Sequence, residues 1–197
     1  MGEEIDRGRR QLLTVATTLT GAVGVAFAAA PFLASWKPSA RAKALGAPVE
    51  IDIGRLEPGA MLKIVWRGTP VYVVRRTPAM IASLASNDEL LSDPGSDKSR
   101  QPAYAKNAER ARNPEYFVVL GVCTHLGCAP QSHFAPGDPV ISPDWPGGFF
   151  CPCHGSKFDV SGRVFKGVPA PTNLEIPPYT FADSRHILIG LDEVRAI

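Results

Sequence analysis

The sequence predicts a mainly β protein, an antiparallel β head carried behind a single N-terminal transmembrane helix. Three observations predict it. Residues 11–36 carry no charge. Pro (19) and Gly (18) together supply 37 of the 197 residues, a turn-rich composition that suits β structure better than a helical bundle. Beyond residue 48, short alternating or β-branched runs recur between turn signals.

Residues 1–36 read as an export signal and membrane anchor. As a helix, the uncharged run reaches about 39 Å, enough to cross a hydrocarbon core of about 30 Å with some tilt. Trp36 and Lys37 stand where an interfacial anchor belongs. The cations before the run (Arg7, Arg9, Arg10) equal those after it (Lys37, Arg41, Lys43), so the positive-inside count gives no orientation. Arg9-Arg10-Gln11-Leu12-Leu13 breaks the tie, because it resembles a twin-arginine export signal, a type that moves folded proteins. The expectation is a single-pass protein of the bacterial inner membrane with its head on the periplasmic side. Ala28-Ala29-Ala30 offers a peptidase small residues, but Pro31 follows directly, so the anchor is expected to be retained.

Residues 37–48 hold small and polar side chains with little to bury, and read as a flexible or weakly helical hinge. The head follows at 49–197. Val49-Glu50-Ile51-Asp52-Ile53 alternates with the period of a strand. Two β-rich runs, 61–67 and 69–77, meet at Gly68, and 78–85 reads as a short helix. Residues 87–115 are polar and loop-like, with a turn at Asp93-Pro94-Gly95-Ser96. An apolar strand, 116–122, leads into Cys123; Phe149-Phe150 leads into Cys151; and Ile187-Leu188-Ile189 reads as a final strand.

A formal net charge of +2, with no basic run interleaved with aromatics, argues against a nucleic-acid partner. The cysteines say more. All four lie between positions 123 and 153, in Cys123-Thr124-His125-Leu126-Gly127-Cys128 and Cys151-Pro152-Cys153-His154-Gly155-Ser156. Such clustering implies a metal site, a disulfide or both. A structural zinc site of two Cys and two His leaves two cysteines over, and its Cys-x-His gap is tighter than ordinary zinc spacing. A four-cysteine ferredoxin cluster fits Cys123-x4-Cys128 but lacks the continuation, and leaves both histidines idle. A plain pair of disulfides ignores the histidines as well. His133 and His186 stand outside the constellation and read as ordinary surface or structural residues.

These residues and spacings resemble the Rieske proteins, and within them the iron–sulfur subunit of quinol–cytochrome c reductase (cytochrome bc1) complexes. The resemblance runs from the export signal through the anchor, hinge and head to the proline-rich segment Gly167-Val168-Pro169-Ala170-Pro171. It implies a Rieske-type antiparallel β head whose cluster-binding part covers roughly 116–172. It implies one [2Fe–2S] cluster with Cys123 and Cys151 on one iron and His125 and His154 on the other. Cys128 and Cys153 would form a disulfide joining the two loops, a feature of the quinol-oxidising branch. Ser156 falls where the family places a hydroxyl donating to a bridging sulfide. Leu126 would cover the cluster tip, and Pro169 belongs to the segment that closes over it from a third side. At Phe158 the sequence departs from the commoner tyrosine, which donates to a cysteine sulfur, so a lower potential is expected here.

The ligand set has its own logic. Neutral imidazoles in place of two thiolates remove negative charge, so accepting an electron costs less and the potential rises. The resemblance further implies that His154 meets quinol at cytochrome b, taking one electron and one proton together. The head would then swing on residues 37–48 to cytochrome c1, within a dimeric complex. Two other functions are carried beside this one: the small Rieske subunit of another periplasmic oxidoreductase such as arsenite oxidase, and a non-catalytic metal-binding module. The anchor, the 26-residue step from His125 to Cys151 and the proline-rich segment favour the quinol enzyme.

Overall fold

Asp6 caps the first helix, its carboxylate accepting from Gly8 N (3.0 Å) and Arg9 N (3.1 Å). The computed structural model describes residues 6–193, so the first five residues of the export segment lie outside the described ones. Helix α1 (Arg7–Ser35) runs for 29 residues, about 43 Å at 1.5 Å per residue, and none of its residues is buried in protein. It is long and apolar enough to cross a membrane. Its threonines return their hydroxyls to carbonyls one turn back: Thr14 to Arg10, Thr17 to Leu13, Thr18 to Thr14 and Thr20 to Ala16. A polar residue so satisfied costs little in lipid. Within the stretch expected to be a hinge, a six-residue helix α2 (Ala40–Leu45) forms. The chain divides into two units after Ala44.

The head contains three antiparallel three-stranded sheets among the described residues. The first joins β1 (Val49–Asp52), β9 (His186–Ile189) and β8 (Tyr179–Phe181), with Val49 opposite Ile189. The second is β2 (Met61–Trp66), β3 (Thr69–Arg75) and β4 (Tyr116–Leu120). The third is β5 (Gln131–His133), β6 (Gly148–Cys151) and β7 (Ser156–Phe158). Strands β2 and β3 close through Arg67 and Gly68, both left-handed (φ 52° and 75°), the geometry a two-residue hairpin of right-twisted strands needs. In β3, Val71, Tyr72, Val73 and Val74 are all buried, since the strand is central and covered on both faces.

Several boundaries differ from the sequence reading. The second β-rich run stops at Arg75 because Thr77 caps α3 (Pro78–Ala82), its hydroxyl accepting from Met80 N, and that helix ends short of residue 85. Strand β4 stops at Leu120, where the backbone turns to other partners: Leu120 N to Glu175 O (2.9 Å) and Gly121 N to Pro70 O (2.8 Å). The stretch 87–115 is less open than its polarity suggests. It holds 3-10 turns at Ala85–Leu90 and Ala103–Ala105 and a fully buried arginine, Arg110.

Among the described residues Arg110 is one of three buried arginines, with Arg76 and Arg163, gathered on the turn after β7. Arg163 pairs with the fully buried Asp159 (2.7 Å) and with Asp88 (2.7 Å), and donates to Leu84 O (2.7 Å). Arg76 donates to Ser161 Oγ, Glu109 O and Pro114 O; Arg110 donates to Leu174 O and Ser161 O. Burial lowers both Arg76 and Arg110 to about 10, which still leaves them cationic at neutral pH. The network fixes the chain immediately downstream of the second cysteine loop.

Candidate metal centre

Strand β4 delivers Cys123 into loop 1 (residues 121–130), and β6 delivers Cys151 into loop 2 (residues 151–156). Each loop is tight. Gly127 N bonds Cys123 O (3.0 Å), and Gly155 N bonds Cys151 O (2.9 Å). Both glycines are left-handed (φ 84° and 77°), which a residue with a Cβ resists. Loop 1 also closes on itself through Cys123 N to Cys128 O (2.8 Å). Cys128 and Cys153 are joined by a disulfide, which ties the loops together.

Cys123 and Cys151 are free and buried. Burial pushes the Cys123 thiol up, and the adjacent Cys151 sulfur adds to this; hydrogen bonds from the His125 backbone N–H and the Ser156 hydroxyl act against it. The rings of His125 and His154 meet edge to face, with centroids 4.8 Å apart. His125 Nδ1 is buried and has no hydrogen-bond partner among the described residues. His154 is exposed. The sulfurs of Cys128, Cys151 and Cys153 also lie within 4.8 Å of one another, but two of them are consumed by the disulfide, so this trio is no ligand set.

Ser156 is fully buried, and its Oγ accepts the N–H of Ala170 at 3.1 Å. Thr124 Oγ1 donates to Thr172 O at 2.6 Å. The proline-rich segment is thus held by both loops, and within it Pro169 is exposed while Ala170 is buried. Leu126 stands 70% exposed, so it is not a core leucine. Phe158 is fully buried in β7, opposite Phe149 of β6. His133 bonds Asp138 (2.8 Å) and His186 bonds Asp183 (2.8 Å), each a local structural pair. The sequence reading did not single out Thr124, Ala170 or the buried arginines. The clue to the last was Asp159-Val160-Ser161-Gly162-Arg163, a polar turn carrying both partners of a buried ion pair.

Two buried thiols and two adjacent imidazoles, one with an orphaned buried nitrogen, form a donor set that suits a [2Fe–2S] cluster of mixed ligation. The comparisons agree. Residues 100–179 match the family described as Rieske [2Fe-2S] domain. Residues 2–39 match the family described as Ubiquitinol-cytochrome C reductase Fe-S subunit TAT signal. The chain is therefore a Rieske protein, and its cofactor is a [2Fe–2S] cluster of that type.

The ubiquinol-cytochrome c reductase iron-sulfur subunit of Allochromatium vinosum is 55% identical over 95% of this chain and 91% of its own length. That of Blastochloris viridis is 45% identical over 92% of each. A solved structure described as a hyperthermophilic respiratory complex III aligns over 88% of this chain and 98% of its own, at 26% identity and TM-score 0.49. The chain belongs to the family of ubiquinol–cytochrome c reductase iron–sulfur subunits. Catalysis in that family is a property of the whole complex, of which this is a membrane-anchored subunit.

Proposed function

We propose that this chain takes one electron and one proton from quinol at a site shared with cytochrome b and passes the electron to cytochrome c1. Cys123, Cys151, His125 and His154 would hold the cluster. When bound, it supplies one-electron redox chemistry at a potential raised by its two imidazole ligands. The observation that carries the reading is the exposure of His154 beside the buried donor set. An imidazole at the surface can accept a hydrogen bond from a quinol hydroxyl and take up its proton. Leu126, exposed next to His125, gives the docking surface an apolar contact. Ser156 donates toward Cys123 and favours the more negative state there, while Ala170 holds its oxygen.

The head lies on the periplasmic side and swings on residues 37–48 between its two partners. A fixed head would not approach both at good tunnelling distance. The test is quinol-driven cytochrome c reduction by a complex purified from solubilised membranes through a tag on this chain. Co-purifying b- and c-type haems and activity abolished by His154→Ala are expected. An intact red-brown protein with no b-type haem and no quinol activity would move the function to another periplasmic oxidoreductase.

A further inference from the structure

Tyr72 belongs to β3, outside both cysteine loops, yet it touches the chain on three sides of them. Its phenol donates to the carbonyl of Pro130 at 3.2 Å, two residues past Cys128, at the exit of loop 1. Its ring covers Gly121, two residues before Cys123: a Cβ placed there would come within 2.4 Å of the ring. The same ring stacks on Phe149, two residues before Cys151, with centroids 6.2 Å apart and planes 16° from parallel. Tyr72 is 3% exposed, and its place between β2 and β4 roots it in the central sheet. Burial raises its phenol above the ordinary value, so it remains a donor throughout the neutral range.

We infer that Tyr72 is a positioning residue for the cluster: one side chain sets the start and exit of loop 1 and the strand that feeds loop 2. The inference rests on the ligand set proposed above. Loop 1 carries the Cys123 N to Cys128 O and Gly127 N to Cys123 O bonds, which shape the turn that presents Cys123 and His125. Its exit is held to the central sheet by the phenol. Without that bond the loop relaxes at Pro130, hydrogen bonds to the sulfur lengthen, and the reduced state loses stabilisation.

The test is Tyr72→Phe in the full chain within its membrane complex, which keeps the ring and removes only the hydroxyl. Three quantities are read: the midpoint potential, the electron paramagnetic resonance spectrum of the reduced protein, and the rate of iron loss on warming. Expected are full iron content, a lower potential, a shifted spectrum and iron loss accelerated several-fold, with larger changes of the same sign in Tyr72→Leu. A Tyr72→Phe protein with wild-type potential and spectrum would overturn the inference, even with a lowered melting temperature, and would leave Tyr72 as core filling. If Tyr72→Leu holds no iron, Tyr72→Phe decides alone. None of these readings passes through quinol turnover, so failure of the proposed function and failure of this inference are read separately.

Discussion

Arg163 and Asp159 form an ion pair 2.7 Å long in which neither side chain reaches solvent. Asp159 also accepts the N–H groups of Ser161 (2.9 Å) and Arg163 (2.8 Å), so the pair closes the turn that follows β7. Arg163→Met leaves a buried carboxylate without its cation and frees the carbonyl of Leu84. The expected loss is about 3–5 kcal/mol of unfolding free energy, the usual result of stripping one partner from a buried pair. Denaturant unfolding of the full chain measures it, and a loss below about 1 kcal/mol would show that the turn holds itself.

Ser156→Ala removes the oxygen that receives Ala170 N–H and the hydroxyl that donates toward Cys123. A stability loss of about 1 kcal/mol is expected. A fall in midpoint potential should accompany it, because one donor to the sulfur is gone. Redox titration beside a melting curve separates the two effects. An unchanged potential would reduce Ser156 to a turn hydroxyl.

Phe158→Tyr is expected to raise the potential by returning a hydroxyl to the position where the family commonly has one. Phe158 is fully buried, so the new hydroxyl has no route to water and must find a partner inside. No rise on titration would sink the prediction.

Prolines at Ala40 and Ala44 should slow turnover while leaving the visible spectrum intact. Helix α2 spans Ala40–Leu45: proline at Ala40, its first position, fixes the backbone there without costing an intrahelical bond, and proline at Ala44 removes one and stiffens the last turn. Unchanged turnover would count against the swing.

Alkaline stability offers a further check. Burial pushes the Tyr179 phenol up to about 12 from 10.0, with hydrogen bonding and nearby arginines opposing. The folded state therefore keeps its proton where the unfolded chain loses it. The stabilisation is complete below pH 10 and is lost as pH rises toward 12, about 3 kcal/mol in all. Arg76 and Arg110, lowered to about 10, act with the opposite sign in the same range, so the effect is read as a difference: Tyr179→Phe should lose less stability, or gain more, than wild type in unfolding midpoints between pH 9 and 12. A slope equal to wild type would assign the alkaline transition to other groups.

Much of the head was legible because its signals are local. The alternation of Val49 to Ile53, the β-branched run at Val71 and the glycine of the β2–β3 turn each announce themselves within a few residues. The meeting of the two cysteine loops was legible because all four cysteines and both adjacent histidines fall in two short segments, which the Cys128–Cys153 disulfide joins. Strands β5, β7 and β8 were not, since three residues are too few to display a period. Nor were the buried arginines. Charge in a sequence signals solvent, and part of what compensates Arg163 and Arg110 is remote in the chain: Asp88 and Leu84 O for the first, Leu174 O for the second. Tyr72 read as one more β former, because its partners Gly121, Pro130 and Phe149 are remote in the chain.

The pairing of β1 with β9 brings together segments about 140 residues apart, Val49 with Ile189. During synthesis, the first strand of the head waits without its neighbour until the last has left the ribosome. An interrupted chain would keep an open edge and unpaired backbone groups at the start of its head. Closure of this sheet therefore comes only after residues 186–189 have been made, so the head keeps an unsealed start through most of its own synthesis.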